Sequence, residues 1–108
     1  MPIRIKSIFK ELADGSTETE LGEITVKSGH RYNVLEILPV VPSNSWLYVY
    51  IESDRVAEIH GDLISKDNRR IVVNWSLDSG TKLKVSGTNA SGAAAKVGAI
   101  IIYDDVTA

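Results

Sequence analysis

The sequence predicts an all-β protein: one antiparallel β-sandwich of about eight strands, jelly-roll-like in its winding. Three observations predict it. Short apolar segments with a period of two recur at intervals of about ten residues, separated by Gly, Pro, Asn and Asp turn signals. No stretch carries a sustained helical period, so no crossover helices join parallel strands. The 108 residues, 44% hydrophobic and 24% charged, suit a single core spanning 1–108. An immunoglobulin-like sandwich is the alternative winding.

Ile3 to Leu12 begins as alternation, with Ile3 and Ile5 on one face, while Ile8, Phe9 and Leu12 fit a helical turn nearly as well. Ala13 to Thr19 is polar, contains Asp14-Gly15 and reads as a loop. Leu21 to Lys27 is a strand with Ile24 and Val26 on one face, and Ser28-Gly29 turns the chain into a strand from Tyr32 to Leu38. Pro39 and Pro42 bracket a loop ending at Ser43-Asn44, since proline cannot donate to a central ladder. Ser45 to Ile51 is the next strand. Glu52 to Arg55 reads as a polar turn, Val56 to His60 as a short strand, and Lys66 to Arg69 as a second polar turn. Ile71, Val73, Trp75 and Leu77 alternate cleanly. Asp78-Ser79-Gly80 leads into Thr81 to Ser86, with Leu83 and Val85 inward and Lys82 and Lys84 toward water. Asn89 to Gly92 is a turn, Val97 to Tyr103 the last strand, and Asp104 to Ala108 a short acidic tail. Neighbouring strands are expected to be joined as hairpins.

Composition excludes several classes. The formal net charge is −2, from 12 basic and 14 acidic side chains, and the densest basic stretch, Lys66 to Arg70, is broken by Asp67. Nucleic-acid binding therefore lacks its electrostatic footprint. The chain has no cysteine, which excludes disulfides, thiolate metal sites and cysteine nucleophiles. The Met1-Pro-Ile-Arg-Ile-Lys start lacks the apolar core of a secretory signal, and no apolar run approaches the ~20 residues of a membrane helix. The expectation is a soluble product made in the cytoplasm, without a membrane partner.

Catalytic and metal constellations are equally thin. His30 and His60 are the only histidines and have no second ligand at metal spacing. Asp67-Asn68 and Asp78-Ser79-Gly80 are too sparse for the six to eight oxygens of a Ca²⁺ site. Turn chemistry accounts for them. Asn74-Trp75-Ser76 and Asn89-Ala90-Ser91 match the glycosylation pattern, the first inside a strand. No catalytic residue, cofactor or metal is expected.

Two strands carry more apolar surface than a two-layer body needs. In Ser45 to Ile51, Leu47, Val49 and Ile51 share one face and Trp46, Tyr48 and Tyr50 the other. In the last strand Val97, Ala99, Ile101 and Tyr103 share a face, while Gly98, Ile100 and Ile102 lie opposite. One face of each meets the core. The second needs cover from neighbouring strands, another subunit or a ligand. Self-association is one outcome. A glycan platform is another, because sugars stack their C–H faces on Trp and Tyr rings.

The run Thr81-Lys-Leu-Lys-Val-Ser-Gly-Thr-Asn-Ala-Ser-Gly leads through Ala93 to Ala95 into Val97-Gly-Ala-Ile-Ile-Ile-Tyr-Asp-Asp. Over residues 71 to 105 this cadence resembles the closing hairpin of small jelly-roll-like β-sandwich proteins of phage and virus particles, such as decoration, spike and tail-associated modules. Jelly-roll sugar-binding modules share it. The resemblance implies a symmetric homo-oligomer, often a trimer, assembled on a virion. It transfers no functional residue. The functional expectation is a non-enzymatic structural or attachment protein that associates through Trp46, Tyr48, Tyr50, Ile100 and Ile102. The alternative is a carbohydrate-binding module using Trp46, Tyr48 and Tyr50 on a surface glycan.

Overall fold

The computed structural model describes residues 2–64 and 69–107. Its strands are β1 (Ile3–Leu12), β2 (Ser16–Thr25), β3 (His30–Val40), β4 (Trp46–Ile51), β5 (Asp54–His60), β6 (Ile71–Leu77), β7 (Lys82–Asn89) and β8 (Ala95–Thr107), with a 3₁₀ turn at Gly61–Leu63. They form two four-stranded antiparallel sheets packed face to face. Sheet A has the order β1-β8-β3-β6 and sheet B the order β2-β7-β4-β5. This is jelly-roll winding, and it displaces the immunoglobulin-like alternative. In that fold the first two strands lie in one sheet, whereas here β1 and β2 lie in opposite sheets.

The inner layer explains why these segments are strands. Val34 and Ile37 of β3 and Val97 and Ile101 of β8 face inward from the centre of sheet A, and all four are fully buried. Leu47 and Val49 of β4 and Leu83 and Val85 of β7 do the same from sheet B. All belong to one hydrophobic cluster, and each such side chain contributes about 1.5–3 kcal/mol through burial. Gly87 lies in the same layer, opposite Leu47. A Cβ there would stand 2.7 Å from Val97 Cγ1, so the glycine is what lets β8 pack onto β7.

Several expectations need correction. Only β4 and β5 are consecutive strands that pair with each other, so most short connections cross between sheets. A few residues span the ~10 Å between sheets as easily as the ~5 Å between neighbouring strands. β7 and β8 accordingly meet at a corner between sheets and form no hairpin. β1 is a strand throughout, with Ile8 and Leu12 inward and Phe9 outward. β2 begins at Ser16, inside the expected loop. Pro39 lies within β3 opposite Ala99, past the end of the β3–β6 ladder at Ile37, where among the described residues no strand pairs on that side of β3. Arg55 belongs to β5, and the turn before it is the pair Glu52-Ser53. Asp104 and Asp105 extend β8 and pair with β1 and β3. Most of the turn expected from Lys66 to Arg69, and of the basic stretch to Arg70, lies outside the described residues.

The end of the sandwich near the β1–β2 and β7–β8 connections is organised by Asn89, which has no exposed surface. Its Nδ2 donates to the carbonyls of Leu12 (2.8 Å) and Ala93 (2.9 Å). Its Oδ1 accepts from Ser91 N (3.1 Å) and Oγ (2.7 Å), and its own carbonyl accepts from Gly15 N at 2.7 Å. One side chain thus joins the end of β1 to the β7–β8 loop. Asn89→Ala takes the side-chain donor from the Leu12 carbonyl, while Ser91 Oγ still donates to the Ala93 carbonyl (3.1 Å), and should lower stability by about 2 kcal/mol. The check is a lower urea midpoint at unchanged m value.

Candidate functional site

The expected site residues fall on two opposite outer faces. Trp46, Tyr48 and Tyr50 project outward from sheet B, while Leu47, Val49 and Ile51 point to the core. Ile100 and Ile102 project outward from sheet A and are half-buried. No single contact can cover both groups, and the two faces have different chemistry.

On sheet B the aromatic strip is partly covered by its own neighbours: Tyr48 and Tyr50 are half-buried, while Trp46 remains 37% exposed. The Trp46 and Tyr48 rings are parallel, with centroids 6.1 Å apart. Cross-strand pairing places His60 beside Trp46, which it meets edge-on at 4.7 Å. The Arg55 guanidinium lies 4.1 Å from the Tyr48 ring centroid and 5.4 Å from that of Tyr50. A cation so placed is attracted by both rings. Arg55 also donates through Nη2 to Glu18 Oε1 (3.0 Å) and to Tyr50 Oη (2.8 Å), and through Nη1 to Glu58 Oε1 (3.0 Å). Glu18 Oε2 accepts from Tyr50 Oη (2.6 Å) and Ser86 Oγ (2.7 Å). The network ties β2, β7, β4 and β5 together. A sugar stacking on Tyr48 must first displace Arg55.

Titration follows these contacts. Burial pushes the Glu18 carboxyl upward, but hydrogen bonds from Tyr50 and Ser86, with the Arg55 charge, outweigh it and hold Glu18 below its ordinary value. Burial raises the Tyr48 hydroxyl, and Arg55 partly opposes this. Hydrogen bonds to Tyr50 and Glu58 push Arg55 further above its ordinary value.

The outer face of sheet A has no such cover. Register places Ile5 beside Ile102, Ser7 beside Ile100 and Phe9 beside Gly98 across β1 and β8. Across β8 and β3 it places Ile100 beside Leu38 and Gly98 beside Val40. Val72 of β6 continues the Ile102 row through Glu36. Ile5 is 68% exposed, Val72 60%, Phe9 56%, Ile3 54% and Val40 38%. Together these side chains expose on the order of 500 Å² of apolar surface, near the upper limit for a monomer. A groove of about 270 Å³ runs through the face, lined by Ser7, Phe9, Val40, Lys96, Gly98 and Ile100. Gly98 cannot carry a side chain, because a Cβ would collide with the Ile8 carbonyl and with Phe9. Two charged groups enter the face: Lys96 lines the groove with its Nζ 5.6 Å from the Phe9 ring, and Glu36, paired with Arg70, separates Ile102 from Val72.

The sequence singles out Ile100 and Ile102 on this outer face and not Ile3, Ile5, Phe9, Val40 or Val72. The alternation of Ile3 and Ile5 was the available signal. Nor does the sequence single out Arg55 or Glu18, whose positions depend on strand order.

The two histidines are structural. His30 Nδ1 lies 2.6 Å from Asp105 Oδ1, joining β3 to β8. His60 Nδ1 accepts from Asp62 N at the 3₁₀ turn. Among the described residues no three His, Cys, Asp or Glu side chains gather as a metal site, and no helix is long and apolar enough to cross a membrane. Comparison with family models, curated proteins and solved structures finds no match to this chain.

The lowered Glu18 pKa has a defined sign. A depressed carboxyl contributes stability that is fully present above its unfolded pKa of about 4.3 and is lost as pH falls through the folded value. The thermal-melt advantage of wild type over Glu18→Gln should be fully present above about pH 4.3 and shrink as pH falls below it. An advantage independent of pH would show that the Glu18 charge plays no part.

Proposed function

We propose that this chain is a non-enzymatic structural protein that assembles with copies of itself through the outer face of sheet A. The observation that carries the proposal is the apolar surface of Ile3, Ile5, Phe9 and Val40 around the half-buried Ile100 and Ile102, with Val72 beyond Glu36. A face of this size left in water is a liability, and a second copy supplies a matching apolar surface at no further cost in sequence.

The closure of the aromatic strip favours this reading over a glycan-binding module. Trp46, Tyr48 and Tyr50 are engaged by His60, Arg55 and Glu18 within one chain. They therefore act as a rigid outer wall of sheet B. Fold alone assigns no function. Jelly rolls nevertheless serve as subunits of virus capsids as well as lectins. Together with the cadence of residues 71 to 105, this supports a place on a virus particle as a decoration or spike component.

Sedimentation velocity or light scattering tests the proposal. At micromolar concentration the wild-type chain should run as an oligomer. Ile5→Lys places a charge at the most exposed apolar position of the face, on edge strand β1 and clear of the core, and should weaken association at least about tenfold while leaving the circular dichroism spectrum unchanged. A wild-type chain that stays monomeric up to about 100 µM would overturn the proposal.

A further inference from the structure

We propose that two copies pack sheet A against sheet A about a two-fold axis running across the strands, along the row Ser7–Ile100–Leu38. The inference rests on self-association through this face and adds its register. At alternate outward positions β8 carries Lys96, Gly98, Ile100, Ile102 and Asp104. Read outward from Ile100, the two halves of this series are complementary. Two residues one way lies Gly98, a position with no side chain. Two residues the other way lies Ile102, which projects. Four residues away stand a cation, Lys96, and a carboxylate, Asp104.

A two-fold axis across the strands turns each half onto the other. Ile102 of each copy then enters the groove floored by Gly98 of the second. Lys96 of each approaches Asp104 of the second. Asp104 is buried and its Oδ1 has no hydrogen-bond donor among the described residues, so a positive charge brought near it is favourable through space. On β1, Phe9 comes over Ile5 around Ser7, whose short side chain leaves room at the axis. An axis along the strands over β8 would set Lys96 on Lys96 and Ile102 on Ile102, and leave the Gly98 groove empty. The same rotation brings Val40 over Glu36 and Ile3 over Glu11, and the fit of Ile102 to Gly98 together with the Lys96–Asp104 approach selects the first arrangement.

The area is sufficient. Two apolar patches on the order of 500 Å² each bury on the order of 1,000 Å² in total, and the rim of Lys96, Glu36 and Arg70 brings the contact into the range of specific interfaces. The ~30° offset usual between packed sheets leaves residues on the axis facing their own copies.

Cross-linking tests the register. The chain has no cysteine, so Ser7→Cys introduces a single thiol. In the proposed pair this residue faces its own copy across sheets about 10 Å apart, within reach of a short bis-maleimide. Glu11→Cys, on the same strand and face, places the two thiols about 27 Å apart and serves as control. The expected result is a solution mass of two chains, with efficient cross-linking of Ser7→Cys and little of Glu11→Cys. A two-chain mass without Ser7→Cys cross-linking overturns the register and leaves self-association standing. A mass of three chains does the same. A monomer overturns both, whatever else then binds the face.

Discussion

The buried layer in which Val34, Ile37, Val97 and Ile101 of one sheet meet Leu47, Val49, Leu83 and Val85 of the other fixes everything else in this molecule. It holds two sheets at the spacing of packed side chains and leaves each with one face toward solvent. A two-layer body has no third surface. Any apolar residue in the opposite phase of a strand must therefore be covered by its own outer neighbours or by another molecule.

The chain resolves that constraint differently on its two sides. Sheet B carries the larger rings, yet covers them with side chains at neighbouring positions on the same sheet. Arg55 supplies a planar cation to Tyr48 and Tyr50, and Glu18 and Glu58 neutralise it. Sheet A has no equivalent. Its outward positions on β1, β8 and β3 are isoleucine, phenylalanine, leucine, valine, serine and glycine over the central rows, interrupted by Glu36, with Lys96 reaching the Phe9 ring and no cation over the isoleucines of β1. Ring count alone pointed to sheet B, where Trp46 stays 37% exposed, whereas the larger exposed apolar area is on sheet A.

How much of this was legible in the sequence depended on period. Alternation in Leu47–Ile51, Ile71–Leu77 and Leu83–Val85 gave strands and their inward faces directly. Phase also gave the outward placement of Trp46, Tyr48, Tyr50, Ile100 and Ile102. Strand order was not legible, since an apolar phase says which way a side chain points and nothing about which strand lies beside it. Arg55 therefore looked like a turn residue, and its place beside two tyrosines followed only from the β4–β5 register. β1 misled for a related reason. Ile3, Ile5 and Phe9 occupy one phase and Ile8 and Leu12 the other, so two apolar faces on one strand mimicked a helical turn. Asp104 and Asp105 looked like a tail because strand polarity was judged without the partners that accept them, Asn33 and Tyr32 on β3 and Ile3 on β1.

The edges of the sheets explain why association should use a face. An edge strand offers unpaired backbone groups and is the usual route to uncontrolled pairing. Here β1 carries Arg4, Lys6 and Lys10 in the phase that points inward, all exposed, and inward charges on an edge strand block a further strand from docking. β2 pairs with β7 through two register shifts, β5 with β4 through one, and β6 with β3 through one, with Asn74 at a positive φ of 55°. Irregular or charged strands thus guard all four edges. The outer face of sheet A has no such guard over its centre. A molecule protected at every edge and bare across one face limits association to a stacked, closed contact, and this supports a defined assembly over open-ended strand addition.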